Sequence, residues 1–186
     1  MNYIEKSWSW SHLLETTTEI ERRIDLITSL SIQVDSIPET RFIKLDNELK
    51  QVQKKVTPCH YPPQEWDRQK LIKLAISLDE LSSAGLVHGD LCPRNICWDG
   101  VQYWIIDWEP SLWQIRKGRP TLIYTHPFIA PSEIGTTSSL TSLSDKVAFA
   151  LTILKVSTKN EPSDDRIKEI ENEVRCLSFK EIAEDF

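Results

Sequence analysis

Asn95-Ile96-Cys97-Trp98 and Tyr103-Trp104-Ile105-Ile106 are two short runs rich in β-branched and aromatic residues, and Asp99-Gly100 lies between them. Asp-Gly flanked by such runs is a strong short-range hairpin signal, because the tight turn needs residues that tolerate positive φ. A hairpin brings its two outer ends together, so Asn95 and Asp107 are expected side by side, with Asp90 on the loop feeding the first strand. Isolated Asp and Asn residues in loops mostly make turns and caps. Three of them in this order and spacing instead suit phosphoryl transfer from Mg-ATP. That reaction needs a carboxylate to orient the attacking hydroxyl and hard oxygen ligands for the metal.

Length and charge narrow the alternatives. The 186 residues suffice for one domain with a real core but not for two. A net charge of −6 argues against nucleic-acid binding as the main role. The one basic cluster, Arg116-Lys117-Gly118-Arg119, reads as a solvated loop. No stretch approaches the roughly 18 apolar residues of a membrane span, and Met-Asn-Tyr-Ile-Glu-Lys has no long apolar core, so no signal peptide is expected. Cys59, Cys92, Cys97 and Cys176 form no C-x-x-C pair, which predicts reduced thiols in a cytoplasmic protein. The histidines are too scattered to suggest zinc.

Periodicity predicts a first helix from Thr18 to Leu30, opened by a Thr18–Glu21 capping box, with Ile20, Ile24, Ile27 and Leu30 on one face. Two strands follow, Arg41 to Leu45 and Leu49 to Val56. The segment Thr57–Pro63 reads as a stiff linker, since adjacent prolines suit neither helix nor strand. A long helix is expected from Glu65 to Ala84, stopped by Gly85. Trp108 to Ser142 is too long to be a mere connector. Helices from Ser142 to Lys155, from Ser163 to Val174 and from Ser178 complete the chain, the last with a Ser178–Glu181 capping box.

The segment His88-Gly89-Asp90-Leu91-Cys92-Pro93-Arg94-Asn95, followed by Asp107-Trp108-Glu109, resembles the catalytic and metal-binding loops of the protein-kinase-like superfamily, H-R-D-L-x-x-x-N and D-F-G. Gly89 stands where that Arg would be, and Trp108-Glu109 replaces Phe-Gly; both variants are typical of aminoglycoside-phosphotransferase-like and atypical kinases. Thr125 to Glu133 is similar to the G-T-x-x-Y-x-A-P-E stretch that closes an activation segment, with Ser132 inserted. Ser144 to Ala150 resembles the S-D-V-Y-S-F-G start of a central buried helix, and Arg175 to Ile182 resembles R-P-S-F-x-E-I with an extra residue. The resemblance covers most of residues 66–186. It implies an α+β, protein-kinase-like fold in a single domain: a reduced N-lobe of one helix and a β-hairpin over residues 1–61, and a mainly helical C-lobe over residues 62–186.

By that resemblance Asp90 orients the acceptor hydroxyl and takes its proton, while Asn95 and Asp107 hold Mg²⁺. Lys6, in Tyr3-Ile4-Glu5-Lys6, matches the V-A-I-K lysine that contacts the ATP phosphates. Glu19 or Glu21 is its helical partner, and Glu19 is preferred because Glu21 is taken up by the expected capping box. Cys97 and Ile106 form the floor and back of an adenine pocket, and the linker near Cys59 and His60 offers backbone groups to the adenine edge. His88 packs under the metal loop. Asp145 either caps its own helix or accepts from the backbone near His88 and Gly89. Glu133 and Arg175 form a buried ion pair anchoring the activation segment.

The five glycines form no G-x-G-x-x-G, and no room precedes Lys6 for the loop that covers ATP phosphates. The implied function is a minimal Ser/Thr protein kinase using ATP and Mg²⁺, with a protein substrate or partner chain and no nucleic acid or membrane. Thr125 favours a hydroxyl acceptor of that kind, whereas Cys92 stands where such kinases usually carry Lys. The alternatives are a pseudokinase or half of a two-chain kinase acting as a binding module, and a small-molecule kinase of the aminoglycoside or sugar type. Trp8 and Trp10 are expected near the open end of the ATP site, on a protein-binding face.

Overall fold

The computed structural model describes residues 3–57, 60, 65–134 and 140–186. Strand β1 (Tyr3–Ser9), helix α1 (Thr17–Gln33) and strands β2 (Thr40–Lys44) and β3 (Glu48–Lys54) form one end of the molecule. The strands pair antiparallel in the order β1-β3-β2, so the sheet has three strands where one hairpin was expected. The third is the Lys6 strand, which pairs Lys6 with Gln51.

Both Thr16-x-x-Glu19 and Thr18-x-x-Glu21 fit a capping box, and the earlier one forms: Thr16 and Glu19 cap each other's backbone N–H. Glu21 is thereby free to pair with Lys44 at 2.9 Å. Ile20, Ile24 and Ile27 face inward as expected. Trp8 and Trp10 pack with Leu13, Ile20, Ile24 and Leu49 in a satellite core. Both are partly buried there and help to close this end of the molecule.

The main core is helical. Helices α2 (Arg68–Ser83), α3 (Ser142–Thr158), α4 (Asp164–Val174) and α5 (Phe179–Asp185) all lie within two or three residues of their expected bounds. The N-caps of α2 and α3 are Asp67 and Thr141, because each side chain reaches a free first-turn N–H. Helix α3 is buried from Val147 through Ile153, and Phe149 meets Phe179 edge-to-face at 5.8 Å. Asp79 of α2 accepts from the N–H groups of Phe179 (2.8 Å) and Lys180 (3.1 Å), adding a tertiary cap to the Ser178–Glu181 box.

Between the two ends run two hairpins. Strands β4 (Ile96–Trp98) and β5 (Tyr103–Ile105) pair as anticipated, with Ile96 opposite Ile105. Strands β6 (Trp113–Arg116) and β7 (Arg119–Leu122) form a second hairpin inside the stretch expected to be a long loop. Its turn is Lys117-Gly118, both at positive φ, a weaker signal than Asp-Gly because lysine disfavours that region. No helix among the described residues is long and apolar enough to cross a membrane.

Phe179→Ala removes a ring that is 1 % exposed from the contact of α3 with α5. A loss of about 3–5 kcal/mol in urea denaturation is the expected outcome; a change under about 1 kcal/mol means the ring is not load-carrying.

Candidate active site

The β4–β5 hairpin performs the juxtaposition that its turn sequence predicts. Ile106 N–H donates to the Asn95 carbonyl (3.0 Å), which closes the open end of the hairpin and sets Asn95 beside Asp107. Asn95 Nδ2 donates to the Asp90 carbonyl (2.7 Å) and to Asp90 Oδ2 (3.2 Å). The amide thus locks the catalytic-loop carboxylate in one orientation and keeps its own oxygen for another ligand. Asp90 Oδ1 is buried and has no hydrogen-bond partner among the described residues. An unpaired buried carboxylate oxygen is costly, which marks it as a group awaiting a donor.

Lys6, Asp90, Arg94, Asn95, Ile106 and Asp107 line one cleft of about 710 Å³ beneath the sheet. Asp107 sits at φ 68, a region that non-glycine residues rarely occupy, and such strain concentrates at functional positions. The Lys6 ammonium is paired with Asp107 and lies 3.9 Å from Glu109. Burial lowers its pKa from the ordinary lysine value; the Glu109 charge opposes that shift and Arg116 reinforces it.

Three anchors hold the catalytic loop. Asp145 accepts from His88 N–H (2.6 Å) and Gly89 N–H (2.8 Å), so of its two expected roles it takes the tertiary one. Arg23 of α1 donates to the carbonyls of Glu109 (2.8 Å), Val87 (2.7 Å) and His88 (3.3 Å), tying the helix to both loops at once. The His88 ring accepts from Asp90 N–H at Nδ1 (3.2 Å), shares 3.0 Å with the Ile106 carbonyl at Nε2, and lies edge-on to Trp108. That pattern requires the neutral ring with its proton on Nε2. Burial drives its pKa down to about 4. Gly89 has φ +85, and a Cβ there lies 2.5 Å from Leu112 Cδ2, which explains glycine where an arginine was the reference.

Several expected roles fall elsewhere. Glu19 is spent on the α1 cap, so Lys6 is paired with the metal loop, not the helix. His60 commits both backbone groups to Trp98, each at 2.9 Å, and residues 58, 59 and 61–64 of the linker expected to read adenine lie outside the described residues. Cys59 lies outside the described residues. Cys97 is fully buried in β4, is disulfide-bonded and does not line the cleft, whereas Cys92 and Cys176 are free. No ion pair joins Glu133 to Arg175. Glu133 accepts from Thr141 and Ser144, and Arg175 pairs with Glu171 at 3.1 Å. Glu171 in turn accepts from Ser132, the residue inserted in the closing stretch, so the insertion hands the anchoring role to another carboxylate.

Residues 3–116 match the sequence model of the phosphotransferase enzyme family, APH. The chain belongs to that family. No curated protein matches it in sequence. Among solved structures it is similar to the Cydia pomonella granulovirus kinase PK-1, with a TM-score of 0.60 at 14 % identity over 91 % of this chain. The match covers 65 % of the length of that kinase. The fold is therefore the α+β, protein-kinase-like one that the catalytic-loop resemblance implied. Sequence reasoning missed Arg23, Glu109 and Gln51, whose Nε2 donates to the Trp108 carbonyl at 2.8 Å. A glutamine at an inward position of a strand was the available signal, since buried polar side chains need a partner.

Above about pH 6.5 neither the folded nor the unfolded chain charges His88. Between about 6.5 and 4 the unfolded chain binds a proton that the native ring refuses, so this histidine makes stability fall as the pH drops through that window. Asp145, pushed up to about 6 by burial against its two N–H donors, acts in the opposite sense. Urea denaturation of wild type and His88→Gln isolates the histidine: wild type loses more stability over the window, and equal slopes contradict a neutral buried ring. Arg23→Met leaves three carbonyls without their donor and is expected to cost about 2–5 kcal/mol, with Arg23→Lys recovering part of it in the same assay.

Proposed function

We propose that this domain transfers the γ-phosphate of Mg-ATP to a hydroxyl acceptor. The convergence of Lys6, Asp90, Asn95 and Asp107 on one cleft carries the reading. Asp90 directs its free oxygen at the acceptor hydroxyl and takes the proton as the new O–P bond forms and the bond from the γ-phosphorus to the β–γ bridging oxygen breaks, with ADP as the leaving group. Asn95 keeps the carboxylate from rotating away. Lys6 moves its charge between the metal-loop carboxylates and the phosphate oxygens. The amide oxygen of Asn95 and the carboxylate of Asp107 are hard donors that suit magnesium. When bound, that ion supplies charge neutralisation and alignment of the phosphates.

A protein Ser or Thr is the first choice of acceptor. Arg94, at the cleft, donates to Thr125 Oγ1 (2.9 Å), which joins the catalytic loop to the segment resembling an activation segment. The family match and the His88-Gly89-Asp90 and Asp107-Trp108-Glu109 variants favour a second choice, a small polyhydroxylated molecule.

Labelling with γ-³²P-ATP separates the choices, using a mixture of generic phosphoacceptor proteins in one arm and a panel of aminoglycosides and sugars in the other. Asp90→Ala is expected to cut transfer about 10²–10⁴-fold while leaving the Mg-ATP thermal shift in place. Equal transfer by wild type and Asp90→Ala overturns the role of Asp90. No transfer in either arm and no thermal shift with Mg-ATP leaves a nucleotide-free binding module.

A further inference from the structure

Arg94 brings a charge into the cleft that no carboxylate neutralises. It lies in the short 3₁₀ turn Pro93–Asn95, and Asn95 is hydrogen-bonded to Asp90, so the backbone of Arg94 is fixed beside the catalytic carboxylate. Its side chain is exposed and lines the cleft. Nη2 donates to Thr125 Oγ1 at 2.9 Å, and Arg94 forms no ion pair among the described residues. A guanidinium carries five N–H donors, and Thr125 occupies one of them with a neutral acceptor.

Asp90 and Arg94 thus share the cleft without neutralising each other. Asp90 Oδ2 accepts from the Asn95 amide, Oδ1 has no partner among the described residues, and the guanidinium is turned to the hydroxyl. Thr125 is not among the residues that line the cleft, so its bond holds the guanidinium toward the rim. The lining is cationic on a chain whose net charge is −6: Lys6, Lys54, Lys55 and Arg94 outnumber Asp90 and Asp107. Lys6 comes from the sheet and is paired with Asp107, and Lys54 and Lys55 stand at the end of β3. Of the four, Arg94 is the one carried on the catalytic loop, the element that presents Asp90 to the acceptor hydroxyl. The guanidinium fork matches carboxylate and phosphate oxygens in geometry as well as charge. A polyamine such as an aminoglycoside meets like charge there, which opposes its binding.

We infer that Arg94 selects an acceptor that carries an anionic group, carboxylate or phosphate, close to the hydroxyl facing Asp90. This rests on the phosphotransfer reading above and names its substrate class. Among proteins that class is Ser or Thr in an acidic segment; among small molecules it is hydroxy acids and sugar phosphates rather than aminoglycosides.

Transfer from γ-³²P-ATP tests it in two arms. One uses peptides with a central Ser and with Asp, Ala or Arg at a single flanking position that is moved along the peptide. The other uses sugars, sugar phosphates, hydroxy acids and aminoglycosides. In the arm where wild type transfers phosphate, kcat/KM for the anionic acceptor is expected to exceed that for its cationic counterpart about tenfold. Arg94→Glu reverses that order and Arg94→Lys keeps it, whereas loss of a merely structural arginine lowers both acceptors equally. If Arg94→Glu does not fold, Arg94→Gln replaces it, with the ratio expected to fall to about one. Isothermal titration of Arg94→Gln with Mg-ATP is expected to give an affinity within about threefold of wild type. Wild type that has no charge preference, or prefers the cationic acceptor, overturns the inference. So does a lowered Mg-ATP affinity with an unchanged acceptor ratio, which assigns the guanidinium to the nucleotide. Wild type that transfers to none of these acceptors fails the phosphotransfer reading itself, and the selection by Arg94 with it.

Discussion

Asp145 projects from the first turn of α3 and holds the two peptide N–H groups that lead into Asp90. Both of its oxygens are committed, so the backbone at His88 and Gly89 has one position relative to the most buried helix of the fold. Everything in the cleft is referred to that position. Asp90 follows directly, Asn95 bonds to Asp90, and the His88 ring links the catalytic loop to the Ile106 carbonyl that precedes Asp107. Burial disfavours the carboxylate charge, while two N–H donors and the nearby Arg23 guanidinium favour it. The rigid core of α3 is thereby carried into the geometry of the site.

A second set of polar contacts joins the sheet end to the helical end. Arg23 from α1, Gln51 from β3 and Gln114 from β6 all reach the Trp108–Glu109 segment. Each satisfies a backbone carbonyl or a carboxylate that packing removes from water. Buried polar networks of this kind rigidify when complete and are costly when broken. In this chain the helix and the lysine strand therefore communicate with the metal loop through Arg23 and Glu109, without a helix–lysine ion pair. Glu19 is on the α1 cap and Glu21 on Lys44, so neither carboxylate competes for Lys6.

Legibility followed the range of the interaction. The Asp99-Gly100 hairpin, the Ser178–Glu181 box and the inward faces of the helices depend on residues within a few positions of one another, and a sequence reader sees all of them at once. Lys117-Gly118 was harder, because its turn relies on a lysine at φ 50 and its flanks alternate weakly. The role assigned to Glu133 failed for a different reason. One inserted residue, Ser132, moved the hydrogen bonds so that Glu171 took the partner foreseen for Glu133; the insertion is visible in the sequence, but which distant carboxylate inherits the partner is not.

The sequence by itself determined which side chains meet at the hairpin mouth, because turn chemistry and strand period bring Asn95 and Asp107 together without help from the rest of the chain. It also determined the amphipathic helices, whose apolar spacing admits one buried face. Only the tertiary structure decided what holds those residues still. The contacts of Arg23, Gln51 and Asp145 span roughly sixty to ninety positions along the chain, and which carbonyl or N–H each side chain meets depends on how the sheet settles on the helices. Pairing at such separations is set by packing and by the need to satisfy every buried polar group, and neither is written in any one stretch of residues.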